Sequence, residues 1–468
     1  MLRSFLLTPL LLTILVASVQ AQNSENPKFT KIESKDLDFP KGALILPSAQ
    51  QELKINLNVE KFILKNGLTV LLLEDHSIPL IAYHTWYKVG SNDEKLGVTG
   101  AAHMLEHMMF KGAKKYSGKD FDRIFHENGI VNNAFTSNDY TGFHQTLPSG
   151  ALEKVMEMEV DRMSSLLIRP EDLLSEKEVV AEERRWRVDN NPRGMIHEKL
   201  MGLMFKSSNY RWPVIGDMKD INGYTSEKLR YFYETFYLPN NAVLVLVGDF
   251  ESKKVKPMIE KYYGQLKSKE IPKVEVPKET QRTKPEFLSF KGPVQTPNFV
   301  MAFQGVAVGD PDLFAMDLLA NILGSGNSSR LYKDLVERKT WATSAYAYSW
   351  NLKHEGMIVF GVALKNKSHL PTISRELLKH INRIKKEGVS REELAKVKVE
   401  VMKNYIDQLL TIDAKAQALA VNEIVTGSYQ NLFEDLQKYE KVTAEDIKRV
   451  AQKYLNIQGR VELTQLPQ

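Results

Sequence analysis

Three side chains at close spacing could do chemistry in this chain: His103, Glu106 and His107, inside the stretch Gly100–Gly112, G-A-A-H-M-L-E-H-M-M-F-K-G. On a helix the two histidines stand at i and i+4 and share one face, with Glu106 beside them. Two imidazoles on one face can hold one ion, and zinc is the usual ion for nitrogen ligands at this spacing. A carboxylate beside them can lift a proton from a water activated by that ion, which turns a binding site into a hydrolytic one. The competing reading is an amphipathic helix whose Met104, Leu105, Met108 and Met109 fill a core while its polar residues face water; both readings require those apolar residues to be buried.

A zinc site needs a third protein ligand and a position left for water. The richest acidic source downstream is Ser175–Asn191, S-E-K-E-V-V-A-E-E-R-R-W-R-V-D-N-N, which reads as a helix carrying Glu176, Glu182 and Glu183. Glu176 and Glu183 are two helical turns apart and lie on nearly the same face. A glutamate-rich face is also what a merely solvated helix shows.

The elements that must position these residues follow from pattern. Lys61–Glu74 alternates apolar and polar residues around Asn66-Gly67, a hairpin signal, and Ile78–Val89 is a second strand-like run. Gly97–Gly100 marks the start of the histidine helix. Lys119–Glu127 reads as a helix, Asn132–Thr136 and Tyr140–Pro148 as strands around a Ser137-Asn138-Asp139 turn, and Ser149–Leu167 as a long amphipathic helix. Helices at Met195–Phe205 and Glu227–Phe236, a strand at Ala242–Val247 and a helix at Ser252–Leu266 complete a first lobe spanning 59–266. The Lys/Pro/Glu-rich stretch 267–286 reads as a linker. The pattern then restarts over 287–468, with strands at Phe299–Phe303, Ser344–Trp350, Met357–Val362 and Arg460–Leu466. Helices fall at Asp312–Leu323, Leu370–Lys386, Arg391–Leu410, Ala414–Thr426 and Thr443–Leu455. This order predicts an α+β fold built from two homologous lobes. The second lobe has no His-x-x-Glu-His, and its His354, His369 and His380 are scattered. In the first lobe His76, His84, His126, His144 and His197 read as structural, because none pairs with another histidine at ligand spacing.

Composition narrows the function classes. The 468 residues exceed one core's usual size. A net charge of +5 is small for that length, and no dense Lys/Arg stripe with interleaved aromatics points to nucleic acid. No cysteine is present, which excludes disulfides and thiolate chemistry. Met1-Leu2-Arg3, the apolar run Phe5–Val16 and Val19-Gln20-Ala21 read as a secretory signal peptide over 1–21, the competing reading being an uncleaved anchor. Residues 22–58 are polar, carry three prolines and read as a strap or linker. No later run is long enough to cross a bilayer, so no membrane span is expected once the signal is cleaved.

His103-x-x-Glu106-His107, followed after 75 intervening residues by Glu183, resembles the pitrilysin family of inverzincin zinc peptidases, which includes insulysin and the mitochondrial processing peptidase. Supporting matches are F-K-G at Phe110–Gly112, N-A-F-T-S at Asn133–Ser137 and E-V-V-A-E-E at Glu178–Glu183. Y-R-W-P-V-I-G at Tyr210–Gly216 and Y-L-P-N-N-A-V-L-V-L-V-G-D at Tyr237–Asp249 also match. The resemblance implies a pitrilysin-like, LuxS-like metallohydrolase fold whose two lobes form a clamshell. It also implies one Zn2+ per chain held by His103, His107 and Glu183, with Glu106 as general base and Glu176 hydrogen-bonded to a ligand histidine. Glu182 is the rival third ligand. Asn133, Ala134, Phe135 and Thr136 match the edge strand that accepts an extended peptide. The implied activity is that of a zinc metalloendopeptidase acting on peptides or unfolded polypeptides, and bacterial relatives imply the periplasm. The alternative is a catalytically weak, peptide-binding or structural subunit of a heteromeric complex.

One departure stands out. Many members carry an Arg and a Tyr seven residues apart in the second lobe, which reach the substrate backbone near the zinc. The matching segment here is Leu335–Thr343, L-V-E-R-K-T-W-A-T, with Val336 and Thr343 at those positions. Neither side chain can do that work. Either Arg338 and Tyr346 substitute by a shifted register, or the contacts come from a homologous subunit lacking the zinc motif, in a heterodimer.

Overall fold

A computed structural model describes residues 57–468; the segment expected to be a signal peptide and nearly all of the expected strap lie outside the described residues. β1 (Glu60–Ile63) and β2 (Thr69–Glu74) form the hairpin expected around Asn66-Gly67, with Phe62 opposite Val70. β3 (Leu80–Tyr87) leads into α1 (Ala101–Met108), the histidine helix, and then α2 (Gly118–Glu127). β4 (Val131–Thr136) and β5 (Thr141–Pro148) pair across the predicted turn. Five helices follow: α3 (Leu152–Ser165), α4 (Pro170–Arg184), α5 (Pro192–Met204), the short α6 (Met218–Asn222) and α7 (Ser226–Phe236). β6 (Ala242–Gly248) and α8 (Ser252–Tyr263) end the first lobe.

The second lobe runs through β7 (Glu286–Gly292), β8 (Asn298–Gln304), α9 (Leu313–Gly324), β9 (Ala342–Asn351) and β10 (Gly356–Leu364). It continues with α10 (Leu370–Glu387), α11 (Arg391–Asp407), α12 (Ile412–Val421), α13 (Asn431–Lys441), α14 (Ala444–Tyr454) and β11 (Val461–Pro467). Sequence pattern alone did not yield β7 or α13.

Two sheets result, ordered β1-β2-β6-β3-β5-β4 and β7-β11-β8-β10-β9. Apart from β1 they share one pairing scheme. A parallel pair, β2 with β6 or β7 with β11, is followed by three antiparallel neighbours in the same order. The chain is therefore a duplicated α+β unit, and α9 occupies in the second lobe the place of α1 in the first. Where α1 reads A-A-H-M-L-E-H-M, α9 reads L-F-A-M-D-L-L-A-N-I-L-G, without histidine or glutamate.

Each sheet is covered on one face by its own helices and on the other by a helix from the other lobe. In the first lobe Leu244 and Leu246 of β6 join Met104, Leu105 and Met108 of α1 in one core. Val243 and Val245 turn to the other face, where α12 of the second lobe lies against β3 and β6. In the second lobe Phe299, Met301 and Phe303 of β8 face α9, whereas Val300 and Ala302 pack with Leu200, Met201 and Met204 of α5, from the first lobe. Burial on both faces explains why β6, β8 and β10 are nearly continuous apolar runs instead of alternating ones. The exchange is pinned by ion pairs from Lys415 to Asp75 at 2.5 Å and from Lys61 to Glu423 at 2.5 Å.

Between the lobes, residues 267–283 form no helix or strand, yet they are anchored. Ile271 and Val274 pack on the first core, and Glu279 accepts the Ser208 N–H at 2.8 Å while its own N–H donates to Glu355 at 2.7 Å.

Candidate metal centre

The histidine helix is held at its start by buried carboxylates. Glu94 accepts the N–H groups of Gly100 and Ala102, at 2.6 and 2.9 Å, and Asp220 accepts those of Gly97 and Thr99, at 3.1 and 2.9 Å. Carboxyl oxygens at a helix N-terminus satisfy its unpaired amides. Gly100 and Gly216 pass back to back with φ of 85° and 84°; a Cβ on Gly100 would strike the Ile215 carbonyl, and one on Gly216 the Thr99 carbonyl. This close approach accounts for the glycine that ends Y-R-W-P-V-I-G.

On α1 the rings of His103 and His107 lie 4.8 Å apart, and α4 brings Glu183 to them. Glu183 Oε2 is 3.7 Å from His103 Nε2 and 3.2 Å from His107 Nε2. One donor atom from each of the three residues falls within a 4.8 Å cluster. Glu183 Oε1 pairs with Arg187, one turn on, at 2.9 Å, while Oε2 is buried without a hydrogen-bond partner. Glu176, on the same face of α4, faces His107 Nδ1 at 3.0 Å and is paired on its other oxygen with Lys111. If Nδ1–H donates to Glu176, the Nε2 lone pair points at Glu183, which is the tautomer a metal requires. Glu182 is turned away: its side chain is 72% exposed and bonded to Arg185 at 2.7 Å.

Charge distribution agrees with a cation site. Burial, with His107 alongside, keeps His103 neutral down to about 3. Glu183 resists the upward push of burial and falls to about 2, because His107, His103 and Arg187 face it. His107 is buried too, yet Glu176 and Glu183 raise it to about 9, so this spot draws positive charge. Two imidazoles and an ionised carboxylate with one buried, unbonded oxygen are the donor set that zinc takes, the ion displacing the proton that His107 otherwise holds. Glu106 lies outside the triad. Burial raises its pKa, and its Oε2 accepts the Thr136 hydroxyl at 2.6 Å.

β4 is the edge strand of its sheet, so the segment Asn133–Thr136 has one ladder unpaired. Thr136 and Ala134 turn towards α1, whereas Phe135 packs on Trp86, Tyr140 and His144 on the opposite face. Asn133 Oδ1 accepts the Ala134 N–H at 2.9 Å. Arg338 and Tyr346 do not form a joint site. Arg338 is bound to Asp334, and Tyr346 lies across Gly361 and stacks on Tyr348. The face of the first sheet that carries α1 is also the one away from α12, so the second lobe meets the sheet from behind the histidines.

A second cluster escaped the sequence reading. His84 on β3 and His144 on β5 are direct cross-strand partners, and Asp413 from α12 reaches both, at 2.9 and 3.3 Å. Local spacing could not show a pair formed by strand register. The donor types suit a metal, but the tautomer does not. Trp86 Nε1–H donates to His84 Nδ1 at 3.3 Å, so the proton of neutral His84 sits on Nε2, directed at Asp413. The cluster is a saturated hydrogen-bonded tie between the lobes. His144→Ala should therefore leave zinc at one per chain by elemental analysis; loss of half the metal from a two-zinc protein would contradict this.

A duplicated α+β fold with His103, His107 and Glu183 converging near Glu106 has the residue arrangement of the inverzincin class. The insulinase (peptidase family M16) model matches residues 69–217, and the peptidase M16 inactive-domain model matches 223–401. The zinc protease PqqE of Helicobacter pylori is 31% identical over 399 residues, covering 84% of this chain and 90% of that protein. YmxG of Bacillus subtilis, an uncharacterized zinc protease, is 25% identical over 398 residues, 84% of this chain and 95% of its own length. The crystal structure of a protease from H. pylori matches with a TM-score of 0.83 at 30% identity, over 88% of this chain and 100% of that one. The fold of the periplasmic protease PqqL from Escherichia coli matches at a TM-score of 0.75 and 20% identity, over 89% of this chain and 48% of PqqL. The chain belongs to the M16, insulinase-like (pitrilysin) family.

Proposed function

We propose that this protein is a zinc metalloendopeptidase that hydrolyses peptides or unfolded polypeptides. The observation that carries the reading is the buried, partnerless Glu183 Oε2 facing two imidazole nitrogens, with Glu106 alongside. His103, His107 and Glu183 hold the ion, and Glu176 and Lys111 orient His107. Bound zinc supplies Lewis acidity towards a water and the scissile carbonyl. Glu106 takes the proton of the attacking water and returns it to the leaving amine; burial raises its pKa, which favours the carboxylate as a proton acceptor. The free edge of β4 receives the peptide as an added strand, which places the peptide carbonyl beside the ligand set. Zinc analysis with peptide hydrolysis before and after chelation tests the reading: activity that survives removal of the metal overturns it.

The N-terminal signal and the periplasmic relative support export across the inner membrane to a bacterial periplasm. No described helix is long and apolar enough to cross a membrane.

The geometry favours a partner. The second lobe packs on the face of the first sheet away from α1, and Arg338 pairs with Asp334; both support a reading in which a second chain supplies the wall opposite the zinc residues. A homologous subunit that lacks the zinc motif and carries the Arg/Tyr pair fits that place. Purified alone, the chain should hydrolyse an unfolded peptide at least about tenfold more slowly than with such a subunit added. Full activity as a monomer or homodimer would exclude the requirement.

A further inference from the structure

Tyr210, in Y-R-W-P-V-I-G, is fully buried and donates its hydroxyl to Asp139 Oδ1 at 2.6 Å. The other oxygen of Asp139 accepts the backbone N–H of Lys353 at 3.1 Å, and the Tyr210 hydroxyl oxygen accepts that of His354 at 3.3 Å. Lys353 and His354 form the turn between β9 and β10 in the second lobe; Asp139 lies in the turn between β4 and β5 in the first. A carboxylate only 6% exposed is thus bonded from both lobes at once. The same turn is held from below, where Ser91 and Asn92 donate backbone N–H to the carbonyls of Ser137 and Asn138 at 3.1 and 2.8 Å. Three residues before Asp139, Thr136 donates to Glu106.

We propose that Asp139 and Tyr210 are positioning residues through which the β9–β10 turn of the second lobe sets the Thr136 hydroxyl against Glu106. β4 pairs on one side only, and its last pair is Thr136 with Thr141. Beyond that pair, the Ser137 N–H bond to the Tyr140 carbonyl, the Ser91 and Asn92 contacts and the clasp on Asp139 fix where the strand ends, and of these only the clasp comes from the second lobe. A 2.6 Å hydrogen bond tolerates little displacement of the donor, so slack in the turn reaches the base directly. The second lobe, which carries no metal ligand, thereby takes part in orienting the base.

The effect on rate rests on the peptidase reading; the coupling itself does not. Thr136→Val, which keeps the shape and removes the hydroxyl, should lower kcat about tenfold with KM and zinc content unchanged, and Thr136→Ser should restore most of it. Tyr210→Phe should lower kcat by about three- to tenfold in the native background and cause no further loss beside Thr136→Val. Amide hydrogen exchange at residues 137–140, followed by mass spectrometry, should quicken in Tyr210→Phe while that of α1 stays as before. An equal loss from Tyr210→Phe in both backgrounds, or unaltered exchange in the turn, overturns the proposal. Asp139→Asn runs the same cycle should Tyr210→Phe fail to fold. If the native protein, loaded with zinc, cleaves no peptide, the peptidase reading falls and the exchange measurement alone decides the coupling.

Discussion

Glu106→Gln is expected to lower peptide hydrolysis at least about a thousandfold while zinc remains at one per chain. The substitution keeps size and shape, and the Thr136 hydroxyl can still donate to the amide oxygen that replaces Glu106 Oε2. What disappears is the ability to take a proton. Glu106 contributes no atom to the His103, His107 and Glu183 cluster, so metal affinity should barely change. Steady-state kinetics with elemental analysis of the same sample separates the two quantities. Substantial turnover in a zinc-loaded Glu106→Gln protein would move the base to another residue.

Glu183→Gln is expected to weaken zinc binding more than any other change on α4. It removes the one carboxylate oxygen that faces both imidazoles, at 3.7 Å from His103 and 3.2 Å from His107. Glu176→Gln should cost about 10- to 100-fold in affinity, the usual range for a group that orients a ligand histidine. Glu182→Gln should change nothing, since that side chain faces solvent with Arg185. Competition against a chromogenic chelator ranks the three. Zinc retained by Glu183→Gln and lost by Glu182→Gln would reverse the assignment of the third ligand.

The sequence was most legible where chemistry depends on local period. The i, i+4 histidines and the seven-residue step from Glu176 to Glu183 fix a helix face, and both glutamates do arrive at His107. The β4–β5 hairpin was equally open, because the Ser137-Asn138-Asp139 turn separates two strand patterns. Features made by distant parts of the chain were not. His84 and His144 meet through the register of β3 and β5, and Asp413 reaches them from the other lobe. β7 alternates cleanly, but it directly follows a Lys/Pro-rich stretch that reads as linker. α13 does carry a helical stripe, Leu432, Leu436 and half-buried Tyr439 at i, i+4 and i+7, which was legible and went unread. The role of α12 was hidden because its D-A-K-A-Q-A-L-A run describes a helix without saying which sheet it covers.

The exchanged helices also set an order of events during synthesis. The first sheet is complete once β6 has emerged, but the face destined for α12 has nothing to cover it. Between the end of α8 and the start of α12 lie about 150 residues, which at roughly 5–20 residues per second take roughly 8–30 s to translate. Through that interval Val243, Val245 and Trp86 present an apolar surface beside the unmatched His84 and His144. A nascent first lobe is therefore a natural client for chaperones until α12, in the last eighth of the chain, has been made.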